Sequence, residues 1–294
     1  MWSPNKFVVN LKEKGIQRLL FCGDIHGEFN TFLNNVKRLG ENALIIVCGD
    51  ISFGFNKPQY YLDTLKKYEI ALSKLNSYVA FVRGNHDDPR WFNNLDKVCP
   101  KLKTYYPHVW IIKDYQTILT EQGNILCFGG ARSVDKSWRV KGTSWWEGEM
   151  PLEMSEEFKQ YIEEESPIID YVATHSSPNF CEPKSKHGLA QFYIWDKEVY
   201  KDCERERDII TDVYKFLVDN NTPIKKWFYG HFHYHYKSII NVRNEIETMF
   251  IGLDRCRLSY DLVVESIGRD MKLNCDFYEI NTAGYDFSKI FLDK

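Results

Sequence analysis

The feature that most constrains this 294-residue chain is a repeated local pattern: a short apolar run of strand composition, a glycine that ends it, then a side chain able to bind a metal or move a proton. Arg18-Leu19-Leu20-Phe21-Cys22 stops at Gly23 and is followed by Asp24 and His26. Ala43 to Cys48 stops at Gly49-Asp50, and Tyr78-Val79-Ala80-Phe81-Val82-Arg83 stops at Gly84-Asn85-His86-Asp87. Between these runs Phe29 to Leu39 reads as a helix, and Pro58 opens a second with Leu62, Leu65, Tyr68, Leu72 and Leu75 at helical spacing. Strands alternating with helices form βαβ units, which line up the strands in parallel and bring their carboxyl ends to one edge, where such sheets bind ligands. Each ending has an ordinary alternative on its own. Asp24 can cap the helix after it, and Asn85-His86 can be a plain turn before Asp87-Asp88-Pro89.

The second half continues the pattern with different spacing. Val109-Ile112, Thr117-Leu119 and Ile125-Phe128 are too close together for helices between them and predict a meander or hairpin series that completes a second sheet. Ser155 begins a helix packing through Phe158 and Ile162, and the buried strand Ile168 to Ala173 ends in Thr174-His175. Asp196 is placed to cap a long helix reaching about Asp219, whose run Glu204 to Asp208 reads as a solvated face. Lys225 to Tyr229 ends in Gly230-His231-Phe232-His233, where two imidazoles at i and i+2 project together. His235 extends that alternation, but Tyr236-Lys237 already reads as ordinary strand. A hairpin over Lys237-Val242 and Ile246-Ile251, then strands at Asp261-Glu265 and Phe277-Ile280, finish the chain.

Residues 131–150 form a long loop that carries Arg132, Asp135, Lys136, Arg139 and Lys141 among Trp138, Trp145 and Trp146. Two readings stand equally: a lid whose arginines hold a substrate phosphate, or a cover whose tryptophans close the core. No linker, repeat or low-complexity tract divides the chain, so residues 1–294 are expected to be one domain with this loop inserted. A net charge of −3 with scattered Lys and Arg disfavours non-specific nucleic-acid binding without excluding a local basic cleft. No apolar run reaches membrane-spanning length and Met1 to Asn10 has no apolar leader core, which predicts a cytoplasmic protein with no membrane partner. The 8 cysteines lack any CxxC pair and read as reduced, mostly buried thiols.

Collected, the strand endings supply Asp24, His26, Asp50, Asn85, His175, His231 and His233, with His86 beside them; five of the 8 histidines fall in these motifs. Seven oxygen and nitrogen donors exceed the needs of one ion, so two adjacent metals sharing a carboxylate fit the count better. Mixed imidazole and carboxylate donors admit Mn, Fe or Zn, and manganese is favoured.

Gly23-Asp24-Ile25-His26-Gly27, Gly49-Asp50, Gly84-Asn85-His86-Asp87, Thr174-His175 and Gly230-His231-Phe232-His233, in this order over residues 18–235, resemble the motifs of the calcineurin-like metallophosphoesterase superfamily. The resemblance implies an α/β fold, a four-layer αββα sandwich of two mixed β-sheets flanked by helices. It implies one divalent ion on Asp24, His26, Asp50 and His233 and a second on Asp50, Asn85, His175 and His231, with His86 as the catalytic group in the cleft. The chain departs from the Ser/Thr protein phosphatase branch, since Gly49-Asp50-Ile51-Ser52-Phe53-Gly54 lacks that branch's second acid and arginine. Asp87 is then a candidate to orient His86, and Arg132 and Arg139 are candidates to bind phosphate. The segment from Gly129 to Glu149 is similar to uncharacterised bacterial and phage-type members, which supplies no substrate. The expected activity is hydrolysis of a phosphate monoester or diester, with a hydroxide bridging the ions attacking phosphorus and His86 serving the leaving oxygen as general acid. The rival readings are a nuclease or other nucleic-acid phosphodiesterase and a non-enzymatic scaffold that kept the fold.

Overall fold

In the computed structural model, which describes residues 8–39, 41–184, 187–222, 224–242, 246–256 and 277–280, the apolar runs become strands that stop at the expected glycines. After β1 (Val8–Asn10), β2 (Arg18–Cys22), β3 (Ala43–Val47) and β4 (Tyr78–Phe81) are joined through α1 (Phe29–Leu39) and α2 (Pro58–Lys74). Pro58 opens α2 at a position whose N–H would be unpaired in any case. Three short helices, α3 (Arg90–Asn93), α4 (Leu95–Val98) and α5 (Pro100–Tyr105), lead to β5 (Val109–Ile111). β6 (Gln116–Leu119), β7 (Asn124–Cys127), α6 (Glu156–Glu165), β8 (Tyr171–Thr174), α7 (Ala190–Tyr193), α8 (Val199–Asp219), β9 (Lys226–Tyr229), β10 (Tyr236–Val242), β11 (Ile246–Gly252) and β12 (Phe277–Ile280) follow. Ser155 caps α6, its hydroxyl accepting from the Phe158 N–H.

The strands form two sheets, ordered β12-β2-β3-β4-β5 and β1-β6-β7-β8-β9-β11-β10. β2 to β5 run parallel, with β12 antiparallel at the edge beside β2. In the larger sheet the pairs β6/β7 and β10/β11 are antiparallel and the other neighbours parallel. Three apolar layers explain why the strands read as continuous runs. Leu20, Ile45, Val47, Val79 and Phe81 face α1 and α2, whereas their alternates Leu19, Phe21, Leu44, Ile46 and Ala80 face the other sheet. Between the sheets Phe21 stacks on Phe228 with ring centroids 3.8 Å apart. On the far side Val172, Trp227 and Tyr229 pack against α6 and α8. The result is the expected four-layer αββα sandwich, in which every parallel strand of β2 to β4 and of β8 and β9 delivers its carboxyl end to one region.

Three local expectations are corrected. β5 does not join the hairpin series: it pairs in parallel with β4 and extends the first sheet, because α3 to α5 provide the crossover that a parallel neighbour requires. Asp196 does not cap α8; Glu198 holds that position, and Asp196 accepts from the Glu198 N–H at 3.1 Å with one oxygen while the other meets Arg132. The run Glu204 to Asp208 is not uniformly solvated, since Glu206 is buried and Arg207 donates to the carbonyls of Pro178, Cys181 and Pro183. The strand expected at Asp261-Glu265 lies outside the described residues. The seven described cysteines are free thiols, six of them buried.

Loop 131–150 is anchored from below by Arg83, the last residue of the third apolar run. Its buried guanidinium donates to Asp114 at 3.1 and 3.2 Å and to the carbonyls of Gly129, Gly148, Glu149 and Met150 at 2.8–3.1 Å. Removing a buried ion that satisfies this many groups strands them without partners, at a cost of about 3–5 kcal/mol. Arg83→Met should therefore lower the urea unfolding free energy by that amount, and a loss below about 1 kcal/mol would show that the loop is held by other contacts.

Candidate metal centre

Each donor sits where the end of its strand places it. Asp24 and His26 follow β2, Asp50 follows β3, Asn85 and His86 follow β4, His175 follows β8, and His231 and His233 follow β9. Asp24, His26, Asp50 and His233 each offer a ligand atom within 4.8 Å of all the others. His26 Nε2 and His233 Nε2 are 2.8 Å apart, and Asp24 Oδ2 lies 2.9 Å from His233 Nε2 and 3.5 Å from His26 Nε2. Asp50 Oδ2 is 3.6 Å from His26 Nε2, whereas its Oδ1 is 3.2 Å from His175 Nε2, so the one carboxylate faces two groups of donors. The second group adds Asn85 Oδ1, 2.9 Å from His175 Nε2, and His231, whose ring centroid is 5.0 Å from that of His175. All seven sequence-derived donors thus converge.

Their orientation is set from behind. His175 Nδ1 donates to Cys48 O at 2.7 Å, the His231 N–H donates to Asp24 Oδ1 at 2.9 Å, and Asn85 Nδ2 donates to Ser133 Oγ at 3.0 Å, which turns the amide oxygen towards His175. The motifs approach so closely that a Cβ on Gly84 would lie 2.1 Å from Asp50 Oδ1, and one on Gly49 (φ +98°) 2.1 Å from His175 Nδ1.

Burial raises the Asp24 and Asp50 pKa values, but His175 and the other imidazoles outweigh it and hold both carboxyls well below the usual range. Burial lowers His175, yet the same two carboxylates drive it up to about 10. His231 is pushed down to about 3 by burial and then by His175. Asp24 Oδ2 is buried and makes no aligned hydrogen bond, although His233 Nε2 lies 2.9 Å away. A buried carboxylate oxygen left open beside two facing imidazole nitrogens fits a divalent cation, and the oxygen–nitrogen donor set suits a first-row metal.

His86 lies next to this centre, its ring centroid 4.9 Å from that of His26 and its N–H donating to Asp50 Oδ1 at 2.7 Å. Asp87 does not orient its ring: the Asp87 oxygens accept from the N–H groups of Gly84, Phe53 and Ile51, tying two strand-end loops together. Burial, reinforced by the nearby Asp50 charge, raises Asp87 to about 6 against those three N–H donations. The group against His86 is Arg139, whose Nη2 is 2.9 Å from His86 Nε2 and which Asp135 grips at 2.6 and 2.8 Å. Burial lowers the His86 pKa, and Arg139 adds to that against the pull of Asp50.

The two arginines expected to bind phosphate separate. Arg139 lines the cavity over the centre. Arg132 borders the same cavity but is 1% exposed, and its five guanidinium N–H groups already face four acceptors: Asp196, Asp202 at 2.9 Å, Glu149 at 3.4 Å and the Ser133 carbonyl. It pins loop 131–150 to α8 instead. The loop therefore divides between its two readings, with Trp146 buried beneath it and Arg139 turned to the cleft. Arg255 was missed by sequence reasoning. It follows β11, lines the same cavity, and its buried Nε has no hydrogen-bond partner. The signal was present, because Gly252-Leu253-Asp254-Arg255 repeats the pattern of a strand, a glycine and an acid.

An αββα sandwich with carboxylates and imidazoles gathered at its shared edge has the architecture of metal-dependent phosphatases. The chain belongs to the calcineurin-like phosphoesterases, matching that family over residues 17–235, and is accordingly a hydrolase acting on phosphoester bonds. No curated protein sequence matches it. Among solved structures, one chain of 13% identity is similar with a TM-score of 0.46, over 81% of this chain and 91% of its own. A protein serine/threonine phosphatase from Saccharomyces cerevisiae is 15% identical, with a TM-score of 0.33 over 84% and 71% of the two chains. A phosphatase from Mycoplasma pneumoniae is 13% identical, with a TM-score of 0.35 over 81% and 72%. Among the described residues no helix is long and apolar enough to cross a membrane.

Behind the centre Glu206 of α8 accepts from the Arg132 N–H at 2.5 Å and from the Ser176 hydroxyl, and burial pushes it up to about 7 against those donations. A carboxyl raised by folding contributes stability that is full below its unfolded pKa, near 4.5, and is lost as pH rises through about 7. Between pH 4.5 and 7.5 the wild type should lose up to roughly 3 kcal/mol relative to Glu206→Gln. A constant difference between the two proteins' urea midpoints across that window would exclude this.

Proposed function

We propose that the chain hydrolyses a phosphate monoester or diester at two divalent ions, manganese favoured, one held by Asp24, His26, Asp50 and His233 and the other by Asp50, Asn85, His175 and His231. The observation that carries this reading is Asp50, whose two oxygens face separate donor groups, 3.6 Å from His26 and 3.2 Å from His175. Bound ions would supply a water of lowered pKa and neutralise charge on the phosphoryl oxygens.

The remaining steps fall to the chain's own residues. Arg139 and Arg255 line the cavity above the centre and bind the outer phosphoryl oxygens, Arg139 through a planar fork suited to two of them. In the free protein that fork is shared between Asp135 and His86. A phosphoryl group that draws Arg139 to itself frees His86 Nε2, and its negative charge raises the affinity of the imidazole for a proton. His86 then gives that proton to the leaving oxygen as general acid.

With Mn²⁺, the purified protein should hydrolyse para-nitrophenyl phosphate, bis-para-nitrophenyl phosphate, or both. His86→Ala should lower kcat about 10²–10⁴-fold, and Asp50→Asn should do more damage because both ions lose a ligand. Unchanged kcat in His86→Ala would remove the general-acid role. Chelation offers a separate readout: metal at a hundredfold excess over its Kd should add about 3 kcal/mol of stability over the chelated protein, and equal melting temperatures would count against resident ions.

A further inference from the structure

The cavity over the metal centre is far larger than a phosphoryl group. It has a volume of about 1120 Å³ and is lined both by His86 and strand-end donors and by apolar and aromatic side chains from other elements. That volume is on the scale of pockets that enclose a whole small molecule, typically about 300–1,000 Å³. That second part of the lining comes from Val134 and Trp138 of the inserted loop, from Leu189 and Phe192 before and within α7, and from Phe232. Trp138 is 58% exposed although its ring meets Phe192 at a centroid distance of 5.2 Å, so a large aromatic face is left at the mouth.

Buried contacts hold this wall in position. Arg132 bridges the loop to Asp196 and Asp202, which flank the start of α8, and the Ser137 hydroxyl meets Trp195 O at 3.5 Å. Phe232 is backed by the Arg207 guanidinium, 5.5 Å from its ring centre and itself tied to three carbonyls. Charge at this end is mixed, with Glu204 and Asp208 beside Arg207, so it offers no continuous basic track for a nucleic-acid strand.

We propose that this wall is a subsite for the alcohol half of the substrate, and that the substrate is a small phosphate ester whose alcohol carries a flat aromatic or heteroaromatic ring stacked against Trp138 and Phe192. The inference rests on the phosphoesterase reading for its phosphoryl end and adds what the site selects. Aromatic faces gain most from a flat ring, about ten- to a hundredfold in affinity for one well-stacked ring. The ring can be phenolic or a nucleoside base, which share that chemistry.

The test is binding of non-hydrolysable phosphonates to the Mn²⁺-loaded protein by calorimetry: methylphosphonate without a ring, benzylphosphonate with a short-reach ring, and the phosphonate analogue of adenosine monophosphate with a long-reach one. At least one ring-bearing ligand should bind ten or more times tighter than methylphosphonate. In the Trp138→Ala/Phe192→Ala variant, checked for an unchanged melting temperature, that preference should fall to within about threefold. Preference for benzylphosphonate assigns a phenolic ring, and preference for the adenosine analogue alone assigns a nucleoside. If neither is preferred, or the preference survives in the folded double variant, the subsite is overturned. Should the double variant not fold, Trp138→Ala alone serves, its surface position making it tolerant. Because phosphonate binding needs no turnover, ring preference without hydrolysis of either para-nitrophenyl phosphate or bis-para-nitrophenyl phosphate would sink the catalytic reading while keeping the subsite, and hydrolysis without ring preference would do the reverse.

Discussion

Two almost fully buried carboxylates, Asp24 and Asp50, face one another's surroundings across a cluster of four imidazoles, and much of the fold is what holds them there. Burying such ions costs several kcal/mol each unless opposite charge is close. In the free protein part of that charge comes from His175, whose raised pKa keeps a proton between the two acids. Metal binding would replace that proton, since a ligating imidazole must be neutral. The backbone is strained at the same place. His26, Asp50, His231 and His233 all have positive φ, between 42° and 67°. Left-handed non-glycine residues cost of order 1–3 kcal/mol and persist where surrounding packing imposes them. Here that packing comes from three apolar layers, and the strain sits on the residues that carry the donors.

Rigidity beyond the sheets depends on buried arginines. Arg83 joins the end of the third strand run to both ends of the inserted loop, and Arg132 joins that loop to α8. Between them they determine where Arg139 can reach, so the group facing His86 is placed by two other arginines that never touch it. Glu206 links the same network to Ser176, the residue after His175, which couples the loop to the donor cluster through a buried hydrogen-bond chain.

Much of this was legible in the chain because it is local. A strand buried on both faces needs an unbroken apolar run, a glycine is needed where a Cβ would lie 2.1 Å from a side chain of another strand end, and the donor must follow at once. Those requirements fall on adjacent residues, so Gly49-Asp50 and Gly230-His231-Phe232-His233 could be read directly. What misled was non-local. β5 was assigned to the wrong sheet because strand partnership depends on the crossover before it, through α3 to α5, and not on its own composition. Glu206 and Arg207 looked solvated because charge is normally exposed, and only the arrival of Arg132 and the carbonyls of residues 178–183 gives them buried partners.

The sequence by itself therefore determined the alternation of strands and helices, the seven donors and the histidine beside them, because periodicity and strand-end chemistry are written over a few consecutive residues. Only the tertiary structure told the two loop arginines apart. Arg132 and Arg139 lie seven residues apart in the same basic, aromatic loop, yet one is neutralised by acids from α8 and its approach, while the other stands over His86. It also decided that Arg255, from a distant strand, shares that cavity, and that Trp138 and Phe192 form one wall of it. A side chain's partners are set by where the chain returns in space, and nothing in its immediate neighbours records that.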